Sequence, residues 1–74
     1  MNEEADKLVV MANRIAANLA PYADAPTRTA DHLRRFWAPS MRRTLLAHVA
    51  AGGTGLSDLA RSAAAELDRT GGAA

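Results

Sequence analysis

Proline and glycine interrupt this sequence at three places, and these interruptions limit the fold more than any other feature. Pro21 and Pro26 flank the first, Pro39 marks the second, and the run GGTG at residues 52–55 marks the third. Proline lacks a backbone N–H and glycine favours turns, so a regular element is expected to end at each place. The chain can therefore form only short elements, one in each of four segments.

Apolar side chains recur at intervals of three and four residues in these segments, which indicates helices. The first helix is predicted from about residue 3 to residue 20, with one face formed by Leu8, Met11, Ala12, Ile15 and Leu19. A second helix is predicted after Asp24, placed as its N-cap, and a third from Pro39 to about residue 51. A short fourth helix is predicted after Ser57. No segment alternates in the period of a strand.

The predicted fold class is therefore all-α, a small bundle of three to four short helices. We expect one domain over residues 1–74, with residues 3–68 ordered and residues 69–74 frayed. Half of the hydrophobic residues, 18 of 36, are Ala, which favour helices but bury little apolar area. The first helix has apolar or small side chains around most of its circumference, so we expect other parts of the structure to pack against it on more than one side. A partner protein could supply the second cover.

The candidate chemical groups do not form a recognisable active site. His32 and His48 lie on different predicted helices without a carboxylate at metal-ligand spacing, and His48 falls on the apolar face of the third helix. The GGTG run matches no phosphate-binding fingerprint, so a plain turn between helices is favoured. With no cysteine, the chain can form neither a disulfide nor a thiolate metal site. We predict no enzyme activity and no catalytic, cofactor-binding or metal-binding residue.

Location and partner class follow from charge and hydropathy. No apolar run reaches the length of a membrane span, and the acidic N-terminal residues do not form a secretory signal. A cytoplasmic protein is therefore the default expectation. A net charge of +1 argues against nucleic acid as a partner.

Residues 31–43, DHLRRFWAPSMRR, hold the only Phe, the only Trp and four Arg residues. Phe36 and Trp37 share a predicted helix face with Leu33, and core anchoring is the simplest interpretation of both. Arg42 borders Leu46 outside the main apolar face of the third helix. An Arg beside an apolar side chain is typical of an interface, and this segment is the first candidate for contact with a partner.

Three segments together resemble a known family. They are MANRIAANL at residues 11–19, HLRRFWAPSMRRTLLAH at residues 32–48 and GGTGLSDLARSA at residues 52–63. Their order and spacing resemble the delta subunit of soluble, molybdenum-containing, NAD-dependent formate dehydrogenases, over about residues 6 to 67. One departure is Ala38, where the family pattern favours an Asp that would cap the third helix.

The resemblance implies a noncatalytic accessory subunit that supports assembly and stability of the catalytic subunit and acquisition of its molybdenum cofactor. It implies an alpha subunit with bis-molybdopterin guanine dinucleotide and iron-sulfur clusters as partner, and beta and gamma subunits that pass electrons through FMN and further clusters to NAD. This chain would bind no cofactor itself. Contact with the partner is predicted for Asn13, His32, Arg34, Phe36, Trp37, Met41, Arg42, Arg43 and Leu46.

Two other functions remain open at this point. One is a transient maturation factor that handles the molybdenum cofactor, with Arg34, Arg42 and Arg43 meeting its phosphates. The other is a small helical nucleic-acid-binding protein, which the local Arg excess permits and the small net charge disfavours.

Overall fold

The computed structural model describes residues 3–70, and that range contains four α-helices. They are α1 (Glu3–Leu19), α2 (Ala25–Phe36), α3 (Pro39–Ala50) and α4 (Asp58–Arg69). The predicted all-α fold is confirmed, and each helix lies in the segment where the sequence predicts it. Of the residues predicted to be frayed, 71–74 lie outside the described range.

The helix ends follow local chemistry. Glu3, Glu4 and Asp6 occupy the first turn of α1, where carboxylates interact favourably with the helix dipole. Pro39 opens α3, and the Ser57 hydroxyl accepts a hydrogen bond from the Ala60 N–H at the start of α4 (3.2 Å).

Asp24 occupies the N-cap position of α2, as predicted, but its carboxylate makes no cap hydrogen bond. That carboxylate instead accepts a hydrogen bond from Arg28 Nε at 2.7 Å. The bond holds the pKa of Asp24 below its ordinary value. The pair is exposed, so it fixes the local geometry of the first turn more than it stabilises the fold.

Helices α2 and α4 pack against each other, and each of them buries small side chains. Thr29 and Ala30 of α2 and Ala63 and Ala64 of α4 are all buried, with at most 1% of their surface exposed. Small residues allow two helix axes to approach closely, and Leu67 then fills the space beside them. The Thr27 hydroxyl also donates to Glu66 across this contact (2.9 Å to Oε1).

The two adjacent aromatic residues separate at the end of α2. Trp37 is buried at 6% exposure, whereas Phe36 is 71% exposed. Successive side chains of a helix point about 100° apart, and the Trp37 N–H still bonds to the Leu33 carbonyl, so Trp37 continues the helical path. The Trp37 ring therefore lies on the Leu33 side of α2, whereas the Phe36 ring lies on the His32 side. The expectation that both rings anchor the core is correct for Trp37 and wrong for Phe36.

Helix α1 also differs from its predicted face. Its buried residues are Ala5, Leu8, Val9, Ala12 and Ala16. The larger side chains Met11, Ile15 and Leu19 lie at the edge of this buried stripe and are only half-buried. The core-facing side of α1 thus combines three Ala residues with Leu8 and Val9, and Met11, Ile15 and Leu19 are left partly open.

Candidate partner-binding surface

The half-buried side chains of α1 belong to a larger apolar surface. Met11, Ile15 and Leu19 are spaced four residues apart and therefore lie in a row along the helix. Met41 lies beside Met11 at one end of the row, and Phe36 lies beside Leu19 at the other. We call this surface the apolar strip, and its members are Met11, Ile15, Leu19, Phe36 and Met41.

An open groove adjoins each end of the apolar strip. The groove at the Met41 end is about 680 Å³ and is also lined by Glu3, Glu4, Lys7 and Leu8. The groove at the Phe36 end is about 180 Å³ and is also lined by Arg28, Asp31, His32 and Arg35. The first groove carries two acids and one base, and the second carries one acid and two bases.

Phe36 is held in position by its neighbours although it is exposed. Its ring lies 4.7 Å from the His32 ring, centroid to centroid, at a tilt of 46°. On the same helix Asp31 pairs with Arg35 at 3.1 Å and with Arg34 at 3.4 Å. These contacts limit the entropy that Phe36 and its surroundings would lose on binding, which suits a contact residue.

The Arg residues of the predicted contact set differ in their surroundings. Arg42 Nη1 donates to the Trp37 carbonyl at 2.6 Å and to the Arg34 carbonyl at 3.0 Å. These are carbonyls at the C-terminal end of α2, which lack partners within the helix. The Arg34 guanidinium also donates to the Thr70 hydroxyl at 2.5 Å. Arg42 and Arg34 therefore support the fold, whereas Arg43 lies on the exposed surface of α3.

Asn13 holds the loop between α3 and α4. Its Nδ2 donates to the Gly55 carbonyl and its Oδ1 accepts from the Ser57 N–H, both at 2.9 Å. His48 Nε2 bonds to the Thr54 carbonyl at 2.8 Å, and Arg61 donates to the carbonyls of two loop glycines. Side chains from three helices thus fix this loop, and the side-chain amide of Asn13 is used within the chain.

The GGTG run is a turn, as the sequence favoured. Gly53 has φ +66°, and a Cβ added there would lie 2.6 Å from the Arg61 guanidinium. Gly55 has φ +88° and lies close to Val9. Both positions favour glycine because of their backbone conformation, and the atom close to Gly53 is the end of the flexible Arg61 side chain, which can move.

The structure brings part of the predicted contact set together. His32, Phe36 and Met41 lie at the apolar strip or its grooves, while Trp37 lies in the core and Leu46 is half-buried on α3. Three strip members, Met11, Ile15 and Leu19, lie on the apolar face of the first helix that the sequence predicts, but they are not among the residues predicted to contact a partner. The signal for them was the apolar arc of α1, which is wider than one neighbouring helix covers.

The described residues contain neither a metal-binding cluster nor a membrane-spanning helix. Among residues 3–70, no three His, Asp or Glu side chains are arranged to hold a metal ion. No helix in the same range has both the length and the apolar character needed to cross a bilayer.

Comparison with known proteins gives one match. A model of the family described as NADH-dependent formate dehydrogenase delta subunit FdsD matches residues 7–64, which include the apolar strip and the loop held by Asn13. No curated protein and no solved structure matches this chain. Because the matched range covers most of the sequence, the chain belongs to the NADH-dependent formate dehydrogenase delta subunit family.

Proposed function

We propose that this chain is a noncatalytic accessory subunit that binds the catalytic alpha subunit of a cytoplasmic, molybdenum-containing formate dehydrogenase. It supports the assembly and stability of that subunit, including acquisition of the molybdenum cofactor. The alpha, beta and gamma subunits would carry the molybdenum cofactor, the iron-sulfur clusters and FMN, and this chain would bind none of them. Family membership over residues 7–64 supports the complex as the setting.

The exposure of Phe36 is the observation that carries the proposal. A Phe side chain is worth about 1.5–3 kcal/mol when it moves from water to an apolar environment. Here 71% of it stays in water, beside four further apolar side chains that the fold covers incompletely. Contiguous apolar surface rimmed by charge is typical of protein contact sites.

Affinity purification from the native cell tests the proposal. A tagged copy should retrieve the large catalytic subunit, and deletion of the gene should lower formate-dependent NAD reduction and the molybdenum content of the purified catalytic subunit. Retrieval of no molybdoenzyme subunit, together with unchanged formate oxidation in the deletion strain, would contradict it.

A matched pair of variants tests which surface is used. Phe36→Ala should reduce retrieval of the catalytic subunit. Val10→Ala is the control, because Val10 is also an exposed apolar residue (56%) but lies on the opposite side of α1 from the apolar strip. Equal loss in both variants would mean that binding is not specific to the apolar strip, and loss in the Val10 variant alone would reject the strip.

The transient maturation factor is the second candidate, but its proposed anion site is less well supported. It assigns Arg34, Arg42 and Arg43 to the cofactor phosphates. Arg34 and Arg42 already donate to Thr70, Asp31 and backbone carbonyls, which leaves Arg43 as the guanidinium best placed for an external anion. Salt-sensitive binding of the pterin nucleotide by the purified chain would favour this candidate over the accessory subunit.

A further inference from the structure

We propose that the apolar strip receives an amphipathic helix of the catalytic subunit and that the opposite charges of its two grooves fix the direction of that helix. The inference rests on the proposed function and adds the chemistry and orientation of the contact. The helix would present apolar side chains to the strip, a basic end to the groove at Met41 and an acidic end to the groove at Phe36.

The dimensions of the apolar strip suit a short helical segment. Met11 and Leu19 are eight residues apart on α1, which is about 12 Å along the helix axis. The grooves extend the surface beyond both ends of that row. A segment of three or four turns, with apolar side chains every three or four residues, would cover this length.

The charges of the two grooves set the expected direction of the bound helix. Glu3 and Glu4 against Lys7 leave the groove at Met41 with a net charge of −1. The charged residues that line the groove at Phe36 belong to an ion-pair cluster of three Arg and two Asp, which has a net charge of +1; its members are Arg28, Arg34, Arg35, Asp24 and Asp31. A helix in the opposite direction would place like charges together at both ends, which suppresses that orientation.

Shape favours a helix over a second copy of this chain. Two copies related by a two-fold axis could also match the acidic end of one strip with the basic end of the other. In that arrangement, a groove of one copy would face a groove of the other copy at each end of the interface, so neither groove would be filled. A helix is convex and can enter the grooves. A homodimer is therefore the competing occupant that the experiment must detect.

Charge reversal tests the polarity. The double variant Glu3→Lys with Glu4→Lys, and the single variant Arg35→Glu, should each weaken binding to the catalytic subunit about threefold to tenfold at low salt. Asp68→Lys and Arg69→Glu are matched controls, since both residues are exposed and line neither groove. The controls should bind as the unchanged chain does, and circular dichroism should show each variant folded.

Photo-crosslinking tests the occupant. A photoreactive phenylalanine analogue at position 36 and the same analogue at position 41 should crosslink to one helix of the catalytic subunit at sites two to four turns apart. The site reached from position 36 should lie at the acidic end of that helix. Crosslinks mainly between two copies of this chain, or to an unrelated segment, would overturn the inference.

The outcomes separate the inference from the proposed function. If the unchanged chain binds the catalytic subunit and the charge reversals have no more effect than the controls, the inference is wrong and the proposed function stands. If the unchanged chain does not bind the catalytic subunit at all, both fail.

Discussion

The α2–α4 contact and the apolar strip are built from side chains of opposite size, and only the first is closed. On α2 and α4, which pack against each other, four small residues are at most 1% exposed, namely Thr29, Ala30, Ala63 and Ala64. The strip consists of Met, Ile, Leu and Phe side chains, yet its members are half-buried or exposed. Between these two regions, the side chains able to bury more apolar area are therefore the ones that the chain covers less.

The residues that stabilise the fold are therefore different from the residues that would contact a partner protein. Small side chains lose little rotamer entropy when two helices close on them, so the α2–α4 contact is complete without a partner. The large side chains of the apolar strip would contribute most of their transfer free energy only when another protein covers them. Substitutions in the two regions should accordingly affect different measurements.

Replacement of Trp37 should have the largest effect on folding. Trp37→Ala removes a 6%-exposed ring from the core and should lower the free energy of unfolding by about 3–5 kcal/mol. A loss of this size is a large fraction of the stability expected for so small a domain. Urea denaturation followed by circular dichroism measures it, since the substitution also removes the only tryptophan fluorophore.

Phe36→Ala is the control for that variant and tests the comparison directly. Because Phe36 is 71% exposed, its removal should change the free energy of unfolding by less than about 1 kcal/mol. The same variant should lose binding to the catalytic subunit. Equal destabilisation by the two substitutions would show that the strip belongs to the core.

Enlarging a residue of the α2–α4 contact should have the next largest effect. Ala63→Leu places a larger side chain where no surface is exposed and should destabilise the chain by about 1–3 kcal/mol through overpacking. Ala65→Leu, at an exposed position of the same helix, should be near neutral. Thermal denaturation of both proteins is the measurement, and tolerance of Leu at position 63 would mean that the contact is looser than its burial indicates.

The Arg42 side chain, on α3, binds to the C-terminal end of α2. Arg42→Ala removes its hydrogen bonds to the Trp37 and Arg34 carbonyls and should cost about 1–2 kcal/mol of stability. Arg43→Ala, at the next and exposed position, should cost less than about 0.5 kcal/mol. If both variants unfold at the same urea concentration, the bonds of Arg42 contribute nothing measurable.

The sequence predicts the helices well because their limits depend on local chemistry. Pro39 opens α3, Ser57 caps α4, and glycines with positive φ form the turn between them. Each of these signals acts within a few residues of its position. The family resemblance, carried by motifs along most of the chain, is confirmed as well.

The surface is less predictable because it depends on contacts between residues that are distant in the chain. Phe36 and Trp37 differ in burial because they lie about 100° apart around α2, and only the side that holds Trp37 and Leu33 is covered by other helices. Asn13 bonds to Gly55 and Ser57, more than 40 residues away in the chain, and helical periodicity carries no information on such a pairing. The placement of the large side chains of α1 at the edge of its buried stripe likewise depends on where α2 and α3 lie.

The smallest expected effect concerns Thr29 of α2, a polar residue that is fully buried. Thr29 has no exposed surface, and among the described residues its hydroxyl has no hydrogen-bond partner. Thr29→Val keeps the branched shape and removes the desolvated hydroxyl, so it should raise the free energy of unfolding by about 1 kcal/mol. Thr27→Val is the control, because the Thr27 hydroxyl donates to Glu66 and its loss should be neutral or slightly destabilising. Chemical denaturation should show that the Thr29 variant is stabilised and that the Thr27 variant is unchanged or slightly destabilised. A destabilised Thr29 variant would mean that this hydroxyl has a partner in solution.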